Sequence, residues 1–191
     1  MKIVRIFGPR ESKEEGEGLW SLEYEGNKLS EFEKLLDLWD DPEYMYQFCL
    51  EHLADVRKKF GYAINPEAAA DELMDEAEEL LAFLVRMAKR QHFDDVLQHV
   101  FRPLNNFETN ITVLQLSKAS AKTKERREPK LRVYAVRMGE NSYLVTGGAI
   151  KLTDRMEDRE HTKNELARLK LVRDWLRREG IYYPEDLTNL S

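Results

Sequence analysis

One cysteine, Cys49, is all the thiol chemistry that the 191 residues hold. Set in the apolar stretch FCLEHLADV, it has no partner for an intrachain disulfide, excludes a zinc-thiolate framework and reads as a small core residue. No apolar run reaches the ~18 residues that a membrane span needs. The opening MKIVRIFGPR is too short in apolar residues for an export signal, so the expectation is an intracellular protein with no membrane partner. The phosphate-binding GxxxxGK[ST], the dinucleotide GxGxxG and the metalloprotease HExxH are all missing, as are internal repeats. Histidine is scarce as well. His92 and His99, with Asp94 and Asp95 nearby, are too sparse a set for a structural metal, and His52 reads as a helix-surface residue. No metal and no cofactor is expected.

The chain is rich in charge, which makes up 35% of its residues, and 42% hydrophobic residues suffice for one substantial core. The net charge of -6 averages two unlike halves. Residues 1 to 117 carry 13 Lys/Arg against 24 Asp/Glu, whereas 118 to 191 carry 17 against 12. Such asymmetry suits a face that meets an anion, a basic part shielded by acidic helices, or charged surface that merely segregates.

Strand patterns are expected over Lys2 to Phe7 and Leu19 to Tyr24, as an opening hairpin. Ser30 and Glu33 stand in capping-box spacing ahead of the stripe Phe32, Leu35, Leu36, Trp39. A second helix is expected from Pro42 to Gly61, and Asn65-Pro66 opens the clearest one, with Leu73, Ala77, Leu80, Leu81, Leu84, Val85 and Ala88 at helical spacing. That stripe faces either the core or a partner. A short helix over Phe93 to Val100 follows. Strands are then expected at Ile111 to Leu116, Leu131 to Met138 and Tyr143 to Leu152, and a last helix from Glu157 to Glu179 carries Leu166, Leu169, Val172 and Leu176. Segregated elements of this kind give an α+β fold in a single domain, with a hairpin (1 to 28), a helical part (29 to 104) and a sheet closed by a C-terminal helix (105 to 191). The predicted core includes Phe32, Leu36, Leu80, Leu84, Val133, Val145, Leu169 and Val172.

The stretch from Lys118 to Thr153 concentrates the candidate chemistry. The cationic run KASAKTKERREPK leads into LRVYAVRM, a Gly139 to Ser142 turn and YLVTGGAIKLT, so a hairpin can fix Arg132, Arg137 and Lys151 relative to one another. Arg132 and Arg137 are five residues apart and point to opposite faces of a regular strand, so only one of them can line a given site. The face that bears Arg132 is expected to be open. Lys118, Lys122, Lys124, Arg126, Arg127 and Lys130 sit in a segment without apolar packing positions, suited to following a nucleic-acid backbone or to docking on an acidic protein. His161 has an imidazole of the right kind for proton transfer near neutral pH.

VLQLSKASA, KLRVYAVRMGENSYLVTGGAIKLT and the helix TKNELARLKLVRDWL together resemble the RelE/HigB-like toxin superfamily of bacterial toxin–antitoxin systems. The resemblance spans residues 111 to 178. It implies a small antiparallel sheet of RelE-like topology, here enlarged by the N-terminal hairpin and a helical insertion. Arg132 matches the arginine near the start of the middle strand, Lys151 the cation that ends the last strand, and Lys118 the basic residue leaving the strand before. The implied activity is metal-independent cleavage of RNA, free or on the ribosome, by attack of a 2′-hydroxyl on the adjacent phosphorus. Arg132 (or Arg137) would stabilise the phosphoryl charge, Lys151 would serve as second cation or as proton donor, and Tyr143 or His161 would complete the proton transfers. A cognate antitoxin is the implied protein partner. The chain departs from the family in its length, its acidity and its helical insertion. A non-catalytic interaction module, dimerising through the Leu73 to Ala88 stripe, and a nucleic-acid-binding regulator are the other function classes.

Overall fold

The computed structural model describes residues 1–9, 16–90, 95–105, 107–108, 110–121 and 128–188. Strands β1 (Lys2–Phe7), β2 (Gly18–Glu23), β3 (Arg102–Pro103), β4 (Leu116–Ala119), β5 (Leu131–Gly139) and β6 (Ser142–Ile150) form one sheet in the order β1-β2-β6-β5-β4-β3. The α+β class stands, but the sheet is mixed rather than antiparallel. Strand β2 pairs with β6 in parallel, Gly18 opposite Ser142 and Ser21 opposite Val145, while every other pairing is antiparallel. A parallel pair requires a long crossover. Here the helical part together with β3, β4 and β5 lies between the two strands, and the opening hairpin is built into the main sheet.

The helical layer comprises α1 (Glu31–Trp39), α2 (Pro42–Glu51), α3 (Leu53–Phe60) and α4 (Pro66–Ala88). Local chemistry sets its boundaries. Ser30 and Glu33 form the reciprocal capping box, Asp41 caps α2 ahead of Pro42, and the Asn65 side chain accepts the Ala68 N–H ahead of Pro66. The helix expected from Pro42 to Gly61 is broken at His52, which ends α2 and starts α3. Along α4, Leu73, Leu80, Leu84 and Ala88 are buried in one core cluster with Phe32, Val133 and Val145. Four of the seven stripe residues are therefore covered by the chain's own sheet and helices, while Ala77, Leu81 and Val85 stay partly exposed.

The opposite face of the sheet carries α5 (Glu160–Glu179) and α6 (Pro184–Thr188) over a second cluster that includes Trp20, Tyr134, Val136, Leu144, Leu169, Val172 and Leu176. Both faces of the central strands are thus covered, so LRVYAVRM and SYLVTGGAI read as almost unbroken apolar runs. Leu36 is only partly buried and Leu35 takes its place in the core. Residues 111 to 115 are not strand: Leu114 has φ 55° with its side chain buried, and β4 starts at Leu116. Near the start of β5 the sheet has a bulge, with Tyr134 opposite Gly147 but Ala135 opposite Val145. The two glycines there serve packing on opposite faces: a Cβ on Gly147 would strike Glu165 of α5, and one on Gly148 would meet Leu35 of α1 at 2.6 Å. Among the described residues no helix is long and apolar enough to cross a membrane.

Candidate functional site

Strand register decides which cations share a face. Lys118 of β4 lies opposite Tyr134 of β5, and directly opposed residues of an antiparallel pair project to the same side. Arg132 precedes Tyr134 by two residues and shares that side. On β6 Ala149 lies opposite Arg132, and Lys151 follows two residues later, held to β5 by its N–H donating to Lys130 O at 2.7 Å. Three neighbouring strands therefore place Lys118, Arg132 and Lys151 on one face. Arg102 of β3, opposite Lys118, adds a fourth cation.

All four line a groove of about 1730 Å³. One wall is α5, where Lys170, Arg173 and Arg177 recur at helical spacing beside the core stripe; another is formed by described residues between Leu104 and Leu116, among them Phe107 and Glu108, and Arg155 also lines the groove. Among the described residues, eight Lys or Arg side chains line the groove against four carboxylates, Glu108, Glu128, Asp154 and Glu157. Glu128 is engaged by Lys59, Nζ to Oε2 at 2.7 Å.

The cations are held under mutual repulsion. Burial and then the charges of Arg132, Lys151 and Arg102 lower the Lys118 pKa, and its Nζ donates to Leu104 O at 2.9 Å. Burial and then Arg132 lower that of Lys151, whose Nζ donates to the carbonyls of Thr153 and Asp154 at 2.7 and 2.6 Å. Arg132, 9% exposed, lies low in the groove and donates to Leu131 O; burial lowers its pKa against the opposing influence of Tyr134, Glu76 and Glu128. The expected open face is thus largely roofed by α5, with Arg132 reached only through the groove.

Other sequence-level candidates lie elsewhere. Arg137 and Tyr143 are opposite each other at the far end of the β5–β6 pair and take no part in lining the groove. Tyr143 is buried, stacked on Phe101 at 4.4 Å, and burial pushes its hydroxyl up to about 12. His161 packs with Phe48 and His52 on the helical side, with ring centroids 5.3 and 5.2 Å away, and its Nε2 is 2.9 Å from Ile150 O. Lys130 is buried with its ammonium 4.3 Å from the Phe60 ring and does not line the groove. Lys122, Lys124, Arg126 and Arg127 lie outside the described residues.

Sequence reasoning overlooked Arg102, Lys170, Arg173 and Arg177 and weighed His99 only as a metal ligand, yet all five line the groove. The last three carry a legible signal, a cationic stripe next to the apolar one on α5; Arg102 becomes visible only through strand pairing. Among the described residues no three His, Cys, Asp or Glu side chains come together as metal ligands. Compared with protein-family models, with curated proteins and with solved structures, the chain matches none.

Proposed function

We propose that the groove binds the sugar–phosphate backbone of RNA. The observation that carries this reading is the gathering of Lys118, Arg132 and Lys151 on one face under mutual repulsion. Like charges placed together cost stability, and a phosphodiester supplies an anion that relieves their repulsion. The groove exceeds the ~300–1,000 Å³ of small-molecule sites, which favours a polymer. Fluorescence anisotropy with a labelled single-stranded RNA of about 12 nucleotides tests the reading. Arg132→Ala removes a charged donor from the backbone, so affinity falls about 10- to 100-fold with the fold intact by circular dichroism. Wild-type protein that binds no RNA at low salt would contradict the proposal.

A second reading, a metal-independent endoribonuclease toxin of RelE/HigB-like topology, is favoured by the order of the elements. Helices precede the antiparallel run β4, β5, β6, with Arg132 second in the middle strand, Lys151 just beyond the last, and α5 following. On this reading the 2′-oxygen bonds to phosphorus while the bond to the 5′-oxygen breaks, leaving a cyclic phosphate and a 5′-hydroxyl. Cations low in the groove stabilise the added phosphoryl charge. The proton acceptor would be His99, which lines the groove, rather than His161 or Tyr143. Lys118, whose pKa is lowered by burial and by its cationic neighbours, would protonate the leaving oxygen. An antitoxin covering the groove would be the partner. Growth arrest on induced expression, relieved by Arg132→Ala or Lys151→Ala and accompanied by cyclic-phosphate ends, supports cleavage; RNA binding without new ends confines the function to binding.

A further inference from the structure

We infer that the groove takes its nucleic acid single-stranded, with a base stacked on Phe107. The inference rests on the RNA-binding reading above and adds the strand state and the contact that selects it. Phe107 lines the groove and is 92% exposed, with Ile111 and Val113 exposed on the same segment.

An apolar ring left in water next to a polycationic wall is unfavourable in isolation, and here the backbone that carries the ring is tied by specific bonds. The Asn105 side chain accepts the Phe107 N–H at 3.1 Å, and the Asn105 carbonyl accepts the Glu108 N–H at 3.1 Å. The buried Gln115 amide then ties the tip back, donating to Glu108 Oε2 at 3.1 Å and to Asn110 O at 3.0 Å. Leu104 N–H donating to Leu116 O closes the base of the segment at 2.8 Å. Leu114, at φ 55°, accepts an unfavoured backbone geometry to bury its side chain, and its N–H donates to Arg137 O. Phe107, Glu108 and Asn110 are thus tied to Asn105 and Gln115, and Phe107 and Val113 line the groove.

Cations along a groove and an exposed aromatic at its rim are the two parts of a single-strand binder: the charges follow the backbone and the ring takes a base face. A duplex offers its phosphates but keeps its base faces stacked inside, so it would leave Phe107 without a partner.

Anisotropy with the full chain and three probes separates the possibilities: labelled oligoadenylate of about 12 nucleotides, an abasic strand of equal length, and the corresponding RNA duplex. Wild type should prefer oligoadenylate to both others. Phe107→Ala should weaken oligoadenylate binding about 5- to 150-fold, leave the abasic strand unaffected, and be rescued by Phe107→Trp. If wild type binds none of the probes, the RNA-binding reading falls and this inference with it. If it binds the abasic strand as tightly as oligoadenylate, or Phe107→Ala changes nothing, base stacking alone is overturned. A self-association seen by light scattering and lost in Phe107→Ala, with oligoadenylate affinity unchanged, would assign the tip to a second copy of the chain and overturn the inference too.

Discussion

Replacing Glu76 with alanine should cost about 3–5 kcal/mol of folding stability, read as the loss of unfolding free energy in urea at unchanged m-value. Glu76 projects from α4 into the core, and one oxygen, Oε1, accepts the backbone N–H groups of Lys130 and Leu131, each at 2.7 Å. Both donors sit where β5 begins, and Leu131 and Lys130 are themselves buried. Truncation leaves two buried donors unpaired, each worth about 1–3 kcal/mol, together with a cavity. Burial raises the Glu76 pKa, but a protonated or amide side chain still presents a carbonyl oxygen to both N–H groups. Glu76→Gln should therefore lose no more than about 1 kcal/mol. An alanine variant as stable as the glutamine variant would contradict this account. The same contact has a bearing on function, because it fixes the start of the strand from which Arg132 enters the groove.

Between about pH 4.5 and pH 7 the wild-type chain should lose stability that a Glu165→Gln variant keeps. Glu165 of α5 is 9% exposed, one of its oxygens has no hydrogen-bond partner, and burial pushes its pKa up to about 7. It faces Arg168 of its own helix at 3.1 Å, Glu31 of α1 beyond that arginine, the phenols of Tyr24, Tyr44 and Tyr134, and Gly147 of β6. The folded chain keeps the proton up to about pH 7, while an unfolded glutamate releases it near pH 4.5. The native state thus binds more protons in this window, and stability falls as the pH rises through it. Each tenfold difference in proton affinity between the folded and unfolded chain is worth about 1.4 kcal/mol, so the loss is on the order of 3 kcal/mol, complete once the pH exceeds 7. The difference between the variant and wild type in urea unfolding isolates this group from other carboxylates. It should grow by about 2–3 kcal/mol from about pH 5 to about pH 8 in favour of the variant. Parallel pH profiles would show that Glu165 is ionised like an ordinary glutamate.

Signals in the sequence are legible where they act locally. The Ser30–Glu33 box, Asn65-Pro66 and the α4 stripe each specify their element through groups within a few residues. Long-range pairing is not legible. Nothing in GLWSLE says that it lies parallel to β6, because the partner is set by a crossover of more than a hundred residues. The same blindness underlies the expectation of an open Arg132 face: a strand covered on both sides lacks the alternation that marks a solvated one. On α5 the core stripe runs through Thr162, Glu165, Leu169, Val172 and Leu176, and Leu166 flanks it only half-buried. Hydrophobicity favours Leu166 over a glutamate for the core and so hides the buried carboxylate. In the groove, Lys118, Arg132 and Lys151 can be foreseen together because each stands near a strand end. Tyr143 and His161 are not separable from them in the sequence, since their faces depend on the register of β5 against β6 and on where α5 begins.

The salt dependence of RNA affinity tests the central claim most directly. If Lys118, Arg132 and Lys151 each neutralise a phosphate, a plot of log K against log salt for single-stranded RNA should have a slope of about -2 or steeper, at roughly 0.7 per contact. Removing Arg132 should make it shallower by about 0.7, and removing all three should make it shallower by about 2. A slope unchanged by loss of all three cations, or the absence of any salt dependence in wild type, would contradict the account that these three side chains hold the backbone.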